Sequence, residues 1–210
     1  MLLREKSIKH EIRQLPTKVA QLRAEKRESG EMIAEGIAIV YDQVTIIWGD
    51  EEVIRPGAAA ESIENDDIRA VWNHDNTIVL GRKKSETLEI WEEKDGVHVR
   101  ISFPDSEEGR SKYKSIERGD VSQMSFSFDV IEGEWQIREE NGERIWTREI
   151  IKLKIYEVSP VTFPAYESTE IEARCKEMAL RDKPKPEASG NDDTAVSEVY
   201  DDVKFLINNT

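Results

Sequence analysis

Runs of β-forming residues punctuated by turn dipeptides constrain this chain more than any other feature. Leu88-Ile90 and Val97-Val99-Ile101 flank Asp95-Gly96, while Trp135-Ile137 and Ile145 flank Asn141-Gly142. Both dipeptides suit two-residue type I′ turns, so each predicts a β-hairpin. A third hairpin is expected between Val19 and Tyr41, where Val19, Leu22 and Ala24 lead into the polar Arg27-Glu28-Ser29-Gly30 turn and Ile33 to Tyr41 is rich in β-formers. Gly36 marks a point where that strand bends or meets a close neighbour. Val44 to Trp48 reads as a strand and Gly49-Asp50-Glu51-Glu52 as an acidic turn. Val53-Ile54 then forms a strand stopped by Pro56-Gly57, with one or two helical turns over Ala58 to Ile63.

Helices are fewer. Ser106 is placed to cap a helix with Glu107 and Glu108 in its first turn, Tyr113 and Ile116 facing inward, and Gly119 at its end. Thr169-x-x-Glu172 has the capping-box pattern for a helix through Leu180. Lys183-Pro184-Lys185-Pro186-Glu187 reads as a linker, and Val196, Val199, Val203 and Leu206 form a thin apolar stripe on an acidic terminal helix. Strand-helix-strand alternation does not dominate, so the expected class is α+β, mainly β: a closed or nearly closed antiparallel β-barrel with peripheral helices. The organisation expected is a basic leader over 1–17, a folded domain over 18–180, and a linker with an acidic tail helix over 181–210.

With 210 residues the chain is long enough for one substantial core. Lys and Arg number 30 against 44 Asp and Glu, a net charge of −14, which removes the counterion-release affinity that nucleic acids offer. A nucleic-acid partner is therefore not expected. The single cysteine, Cys175, cannot form an internal disulfide, in keeping with a reducing compartment. Met1-Leu2-Leu3 runs at once into Arg4, Lys6, Lys9 and His10, without an apolar stretch for export, and no run of eighteen apolar residues occurs. The expectation is a soluble, unexported protein without a membrane partner.

Candidate chemistry gathers in two segments about fifty residues apart. In the strand from Val121 to Val130, Met124, Phe126 and Phe128 share one face, and Ser125, Ser127 and Asp129 share the other. Alternation alone does not separate Ser125 from Ser127. Ile68, Ala70 and Trp72 form a half-buried strand that delivers His74 to the rim. His10 falls in the leader and His98 on a polar strand face, so His74 is the better general base for a hydroxyl nucleophile. A third group should orient the imidazole. Glu157 is the candidate, because Ile151, Leu153 and Ile155 share its parity and a regular strand would aim its carboxylate at the apolar side. His98 is the runner-up and Asp75 ranks third.

Other motifs are weaker. Ser111-Lys112-Tyr113-Lys114 has S-x-x-K spacing but lacks the S-D-N and K-T-G partners, and no G-x-S-x-G elbow is present. His74 with Asp66, Asp67 and Asp75 could be imagined as metal ligands, yet carboxylates in a polar turn are usually solvated, and no metal or cofactor is expected.

The order of segments resembles the prohead (capsid maturation) serine proteases of tailed phages, a family related in fold to the herpesvirus assembly proteases. The resemblance is carried by Gly36-Ile37-Ala38-Ile39-Val40, Ile54-Arg55-Pro56-Gly57-Ala58, Asn73-His74-Asp75, Leu80-Gly81-Arg82, Met124-Ser125-Phe126-Ser127-Phe128 and the stretch Tyr156 to Ala165. It spans roughly Lys18 to Ile171 and makes 18–180 the protease domain. It implies Ser125 as nucleophile, His74 as base and, in this branch, Glu157 as third member where the herpesvirus enzymes use a second histidine. Ser127 stands where such proteins often carry glycine. The implied activity is serine endopeptidase cleavage of the major capsid protein or its scaffolding segment, and of the protease itself, inside the assembling prohead in the host cytoplasm. The portal and a second copy of the chain are further candidate partners. The tail would dock on scaffold and be removed by self-cleavage. Two rivals stand beside this: a non-catalytic assembly protein with the same fold, and a metal-dependent hydrolase centred on His74.

Overall fold

The computed structural model describes residues 10–14, 22–26, 30–47, 49–162, 180–181 and 183–184. The chain divides into one compact unit of Met1–Glu11 with Tyr166–Thr210, and another of Ile12–Ala165. In the first, a hydrogen bond from Lys183 N to Leu180 O (3.1 Å) closes a turn. The expected capping-box helix, the rest of the Pro-containing linker, the terminal helix, most of the basic leader and the Arg27–Ser29 turn lie outside the described residues.

Eleven strands, two α-helices and a 3-10 turn (Lys83–Ser85, between β7 and β8) are described, in the order β1 (Glu11–Gln14), β2 (Arg23–Lys26), β3 (Met32–Val40), β4 (Thr45–Ile47), β5 (Asp50–Ile54), α1 (Ala60–Asn65), β6 (Arg69–Trp72), β7 (Asp75–Arg82), β8 (Leu88–Glu93), β9 (Gly96–Ser102), α2 (Glu107–Glu117), β10 (Gln123–Glu140) and β11 (Glu143–Val161). One sheet has the order β1-β10-β11-β5-β4, with β6 also on β11 and β7 on β6; the other has the order β2-β3-β9-β8. Side chains of both sheets meet in one core that includes Ala38, Ile39, Val99, Ile101, Phe126, Phe128, Leu153 and Ile155. Burying each large apolar side chain contributes about 1.5–3 kcal/mol.

The local sequence explains most of these elements. The β10–β11 ribbon pairs Gln123 with Val161 at one end and Glu140 with Glu143 at the other. It closes on Asn141 and Gly142 at φ +54° and +82°, the type I′ signature. Gly36 pairs with Val99 just before a register shift at Ile37–Ile39, where the strand was expected to bend. Ser106 caps α2, its hydroxyl accepting from Gly109 N at 3.0 Å, and α2 buries Tyr113 and Ile116. Two local readings shift. The β8–β9 loop is Lys94–Asp95, with Glu93 paired to Gly96, and neither loop residue has positive φ. Glu51 and Glu52 belong to β5 rather than to a turn.

The expected closed or nearly closed antiparallel barrel does not form. Two separate sheets are present and neither closes on itself, although the mainly β character holds. The reason lies along the free edge of β11. Thr147–Ile150 pair in parallel with Glu51–Ile54, and Glu157–Val158 pair in parallel with Arg69–Ala70. Between these ladders no strand is admitted: Leu153 N donates to Ala58 O at 2.9 Å and Ile155 N to Ser62 Oγ at 2.8 Å. The crossover that parallel neighbours require thus occupies the edge a barrel strand would need.

Candidate active site

Two strands of the long ribbon supply four polar side chains to one face. Ser125 of β10 lies opposite Ser159 of β11, and Ser127 lies opposite Glu157. Directly opposed residues on paired strands project to the same side. All four are buried, Ser125 completely. The register then steps from Ser127–Glu157 to Phe128–Ile155, so the extra residue, Tyr156, bulges from β11. Strand β10 keeps its two faces, with Met124, Phe126 and Phe128 in the core, whereas Glu157 faces with the serines and not, as its parity with Ile155 predicted, with the apolar side.

His74 arrives from elsewhere. It lies in the two-residue Asn73–His74 turn joining β6 to β7, with φ +50° and +58°, rather than at the end of an extended strand. Left-handed backbone costs an L-residue about 1–2 kcal/mol, and here the surrounding bonds offset it. Asn73 N donates to Pro160 O at 3.1 Å, Asn73 Nδ2 to Thr162 Oγ1 at 3.0 Å, and Thr162 N to Asn73 Oδ1 at 2.8 Å. His74 N donates to Ser159 Oγ at 3.2 Å. The turn is therefore fastened to the end of β11.

This places the imidazole between the two ribbon strands. His74 Nε2 is 2.7 Å from Ser125 Oγ, and Nδ1 is 2.6 Å from Glu157 Oε1. The second carboxylate oxygen accepts from Ser159 Oγ at 2.5 Å. With Glu157 ionised, Nδ1 carries the proton and Nε2 presents its lone pair to the serine hydroxyl. Ser125 Oγ also donates to the carbonyl of Arg13, 2.9 Å away. One hydroxyl proton serves either Nε2 or that carbonyl at a given moment.

The structure brings together Ser125, His74 and Glu157 and leaves the other candidates apart. His98 is on β9 in the second sheet, with Nε2 2.8 Å from Asp95 Oδ1 and its ring stacked on Trp91. Asp75 starts β7 and accepts from Thr77 N at 2.9 Å and Thr77 Oγ1 at 2.7 Å. The carboxylates imagined with His74 as metal ligands are engaged separately. Asp66 accepts from Ser62 Oγ at 2.9 Å, and the hydrogen bonds of Arg82 hold the Asp67 carboxyl below the usual carboxylate range. Among the described residues, the group with metal-ligand spacing is Glu93, Asp95 and His98, which does not include His74. A cleft of about 770 Å³ lined by Leu80, Arg82, Phe103, Arg110 and Tyr113 contains none of the three site residues.

Two contributors were missed in the sequence. Ser159 follows Glu157 by two residues and so shares its strand face, a signal that was available. Arg13 gave none, because it sits in a segment read as a basic leader.

A family model, that of the caudovirus prohead serine proteases, matches residues 18–184. The chain belongs to that family. Among solved structures it is similar to the bacteriophage T4 capsid assembly protease gp21, at 14% identity and a TM-score of 0.41 over 72% of this chain and 94% of that one. Comparison with curated proteins gives no match. Ser125, His74 and Glu157 all lie inside the span matched to the prohead proteases, whereas β1 with Arg13 precedes it. No helix among the described residues is long and apolar enough to cross a membrane.

Proposed function

We propose that this member of the prohead protease family is a serine endopeptidase that trims the capsid protein or its scaffolding segment, and itself, within the assembling prohead. Ser125 is the nucleophile, His74 the general base and Glu157 the orienting acid. The observation that carries the reading is the unbroken line of contacts from Ser125 Oγ through both ring nitrogens of His74 to Glu157 Oε1, at 2.7 and 2.6 Å.

The chemistry follows from proton positions. His74 Nε2 takes the hydroxyl proton as Ser125 Oγ adds to a peptide carbonyl carbon, and the imidazolium so formed is stabilised by Glu157. The same nitrogen returns the proton to the departing amine. Water then attacks the acyl-enzyme by the same route, restoring the serine. Ser159 contributes twice, holding the second oxygen of Glu157 and accepting the His74 backbone N–H, so the imidazole and its carboxylate are positioned by one hydroxyl.

Intact-mass analysis of the chain co-expressed with its capsid protein tests the proposal. Ser125→Ala and His74→Ala should abolish both self-cleavage and capsid-protein trimming, while Ser127→Ala keeps measurable activity. Cleavage that survives Ser125→Ala would assign the nucleophile elsewhere.

A further inference from the structure

Part of what buries Ser125 is the chain's own β1. This strand pairs with β10, the strand that carries Ser125, and holds its Arg13 carbonyl on the serine hydroxyl. An extended segment added to a sheet edge, with one carbonyl at the nucleophile, is the pose expected of a peptide substrate.

The Arg13 side chain continues that pose. Its guanidinium is buried, 6% exposed, and forms a fork with Glu52 of β5: Nε to Oε1 at 2.6 Å and Nη2 to Oε2 at 2.8 Å. It lies over the Phe128 ring, 5.4 Å from the centroid, and Nη1 donates to Ile12 O at 3.0 Å. Arg148, the register partner of Glu52 on β11, reaches Oε2 at the longer distance of 3.3 Å. Burial pushes the Glu52 carboxyl up, but the charges and hydrogen bonds of Arg13 and Arg148 outweigh it and hold the group below its ordinary value. If β1 leaves, Arg148 stays beside the carboxylate, and the edge gripped by Arg13 opens to another guanidinium.

We infer that Glu52 forms the specificity subsite for the residue on the acyl side of the scissile bond, that this subsite selects arginine, and that Arg13–Gln14 is the self-cleavage site occupying it. The inference rests on the proposed role of Ser125. Arginine suits the site because its planar fork matches both carboxylate oxygens, whereas lysine offers a point charge and an acidic residue would face Glu52 directly. The present contact is from Oγ to the carbonyl oxygen, so β1 rests as a guard; cleavage requires the carbonyl to turn its carbon toward Oγ. Ser125 Oγ then bonds to the Arg13 carbonyl carbon as its proton passes to His74. The bond to Gln14 N breaks, and that nitrogen takes the proton. One water hydrolyses the ester, releasing residues 1–13 with a carboxylate on Arg13 and restoring the serine hydroxyl.

The full-length protein provides two readouts. By intact mass, the wild type should lose residues 1–13, Arg13→Lys should lose them more slowly, and Arg13→Ala and Ser125→Ala should keep them. With peptides differing only at the acyl-side residue, kcat/KM for arginine should exceed that for alanine or glutamate by about 100-fold, the scale of a buried bidentate charged pair. Glu52→Gln should cut that preference at least about tenfold, and the wild-type panel decides the matter even if this variant folds poorly. Ser125-dependent cleavage without arginine preference would overturn the inference and leave the proposed function standing. A folded protein that cuts neither itself, nor its capsid protein, nor any peptide would overturn the proposed function, and this inference with it.

Discussion

Replacing Glu157 by Gln isolates one electrostatic element of the site. The side chain keeps its shape, but one oxygen must now serve where two served before: Oε1 faces His74 Nδ1 at 2.6 Å, and Oε2 accepts from Ser159 at 2.5 Å. A hydrogen bond to a charged group contributes about 1.5–3 kcal/mol against about 0.5–1.5 for a neutral one. The imidazolium formed during attack also loses a nearby negative charge, worth about 4 kcal/mol at 4 Å in an effective dielectric near 20. Because 22% of the His74 side chain remains exposed, screening takes back part of this. A net loss of about 2–4 kcal/mol remains, which at about 1.36 kcal/mol per decade lowers kcat some 30- to 900-fold. Glu157 has no assigned contact with substrate, so KM should change little and kcat/KM should fall in step with kcat. Steady-state cleavage of the capsid protein, with circular-dichroism melts to establish folding, measures this. A folded Glu157→Gln protein that loses less than tenfold in kcat would refute the orienting role.

Three further outcomes are expected. Ser159→Ala leaves the Glu157 oxygen and the His74 N–H without their shared partner, so kcat should fall about five- to thirtyfold, for about 1–2 kcal/mol lost, with melting temperature showing that the fold survives. Asn73→Ala removes the clasp on Thr162 and places alanine at positive φ, which should destabilise by about 2–3 kcal/mol in urea melts and lower activity. The depressed native pKa of Glu52 makes stability pH-dependent: its contribution is present above the unfolded carboxylate value near 4.3 and is lost as pH falls through the lower native value. Urea melts across the acid range should show this decline in the wild type and a flatter one in Glu52→Gln.

What could be read from the sequence was mostly local. The alternation around Met124–Phe128, the Asn141-Gly142 turn and the Ser106 cap each depend on neighbours a few residues away, and each formed as expected. Ser125, His74 and Glu157 were named together through the resemblance to the prohead proteases; strand parity alone set the serine and the carboxylate on opposite faces, and the bulge at Tyr156 that brings them to one side is not encoded in the alternation. What was not legible depends on distant partners. The barrel failed because the edge of β11 is taken by parallel strands and by Ala58 and Ser62, choices that periodicity does not encode. Glu52 looked like part of a solvated acidic turn because its partners, Arg13 and Arg148, lie 39 and 96 residues away. The left-handed conformation of His74 is imposed by Pro160, Thr162 and Ser159 rather than by histidine itself.

The fastening of the Asn73–His74 turn to the last residues of β11 ties the appearance of reactivity to the progress of synthesis. Ser125 and Glu157 share one ribbon, but His74, the proposed base, is made 51 residues before the serine and reaches its place only when Ser159, Pro160 and Thr162 exist to hold it. A nascent chain that has not passed Thr162 therefore carries a serine without a seated base. The timing of translation then separates the making of the protease from its first cut.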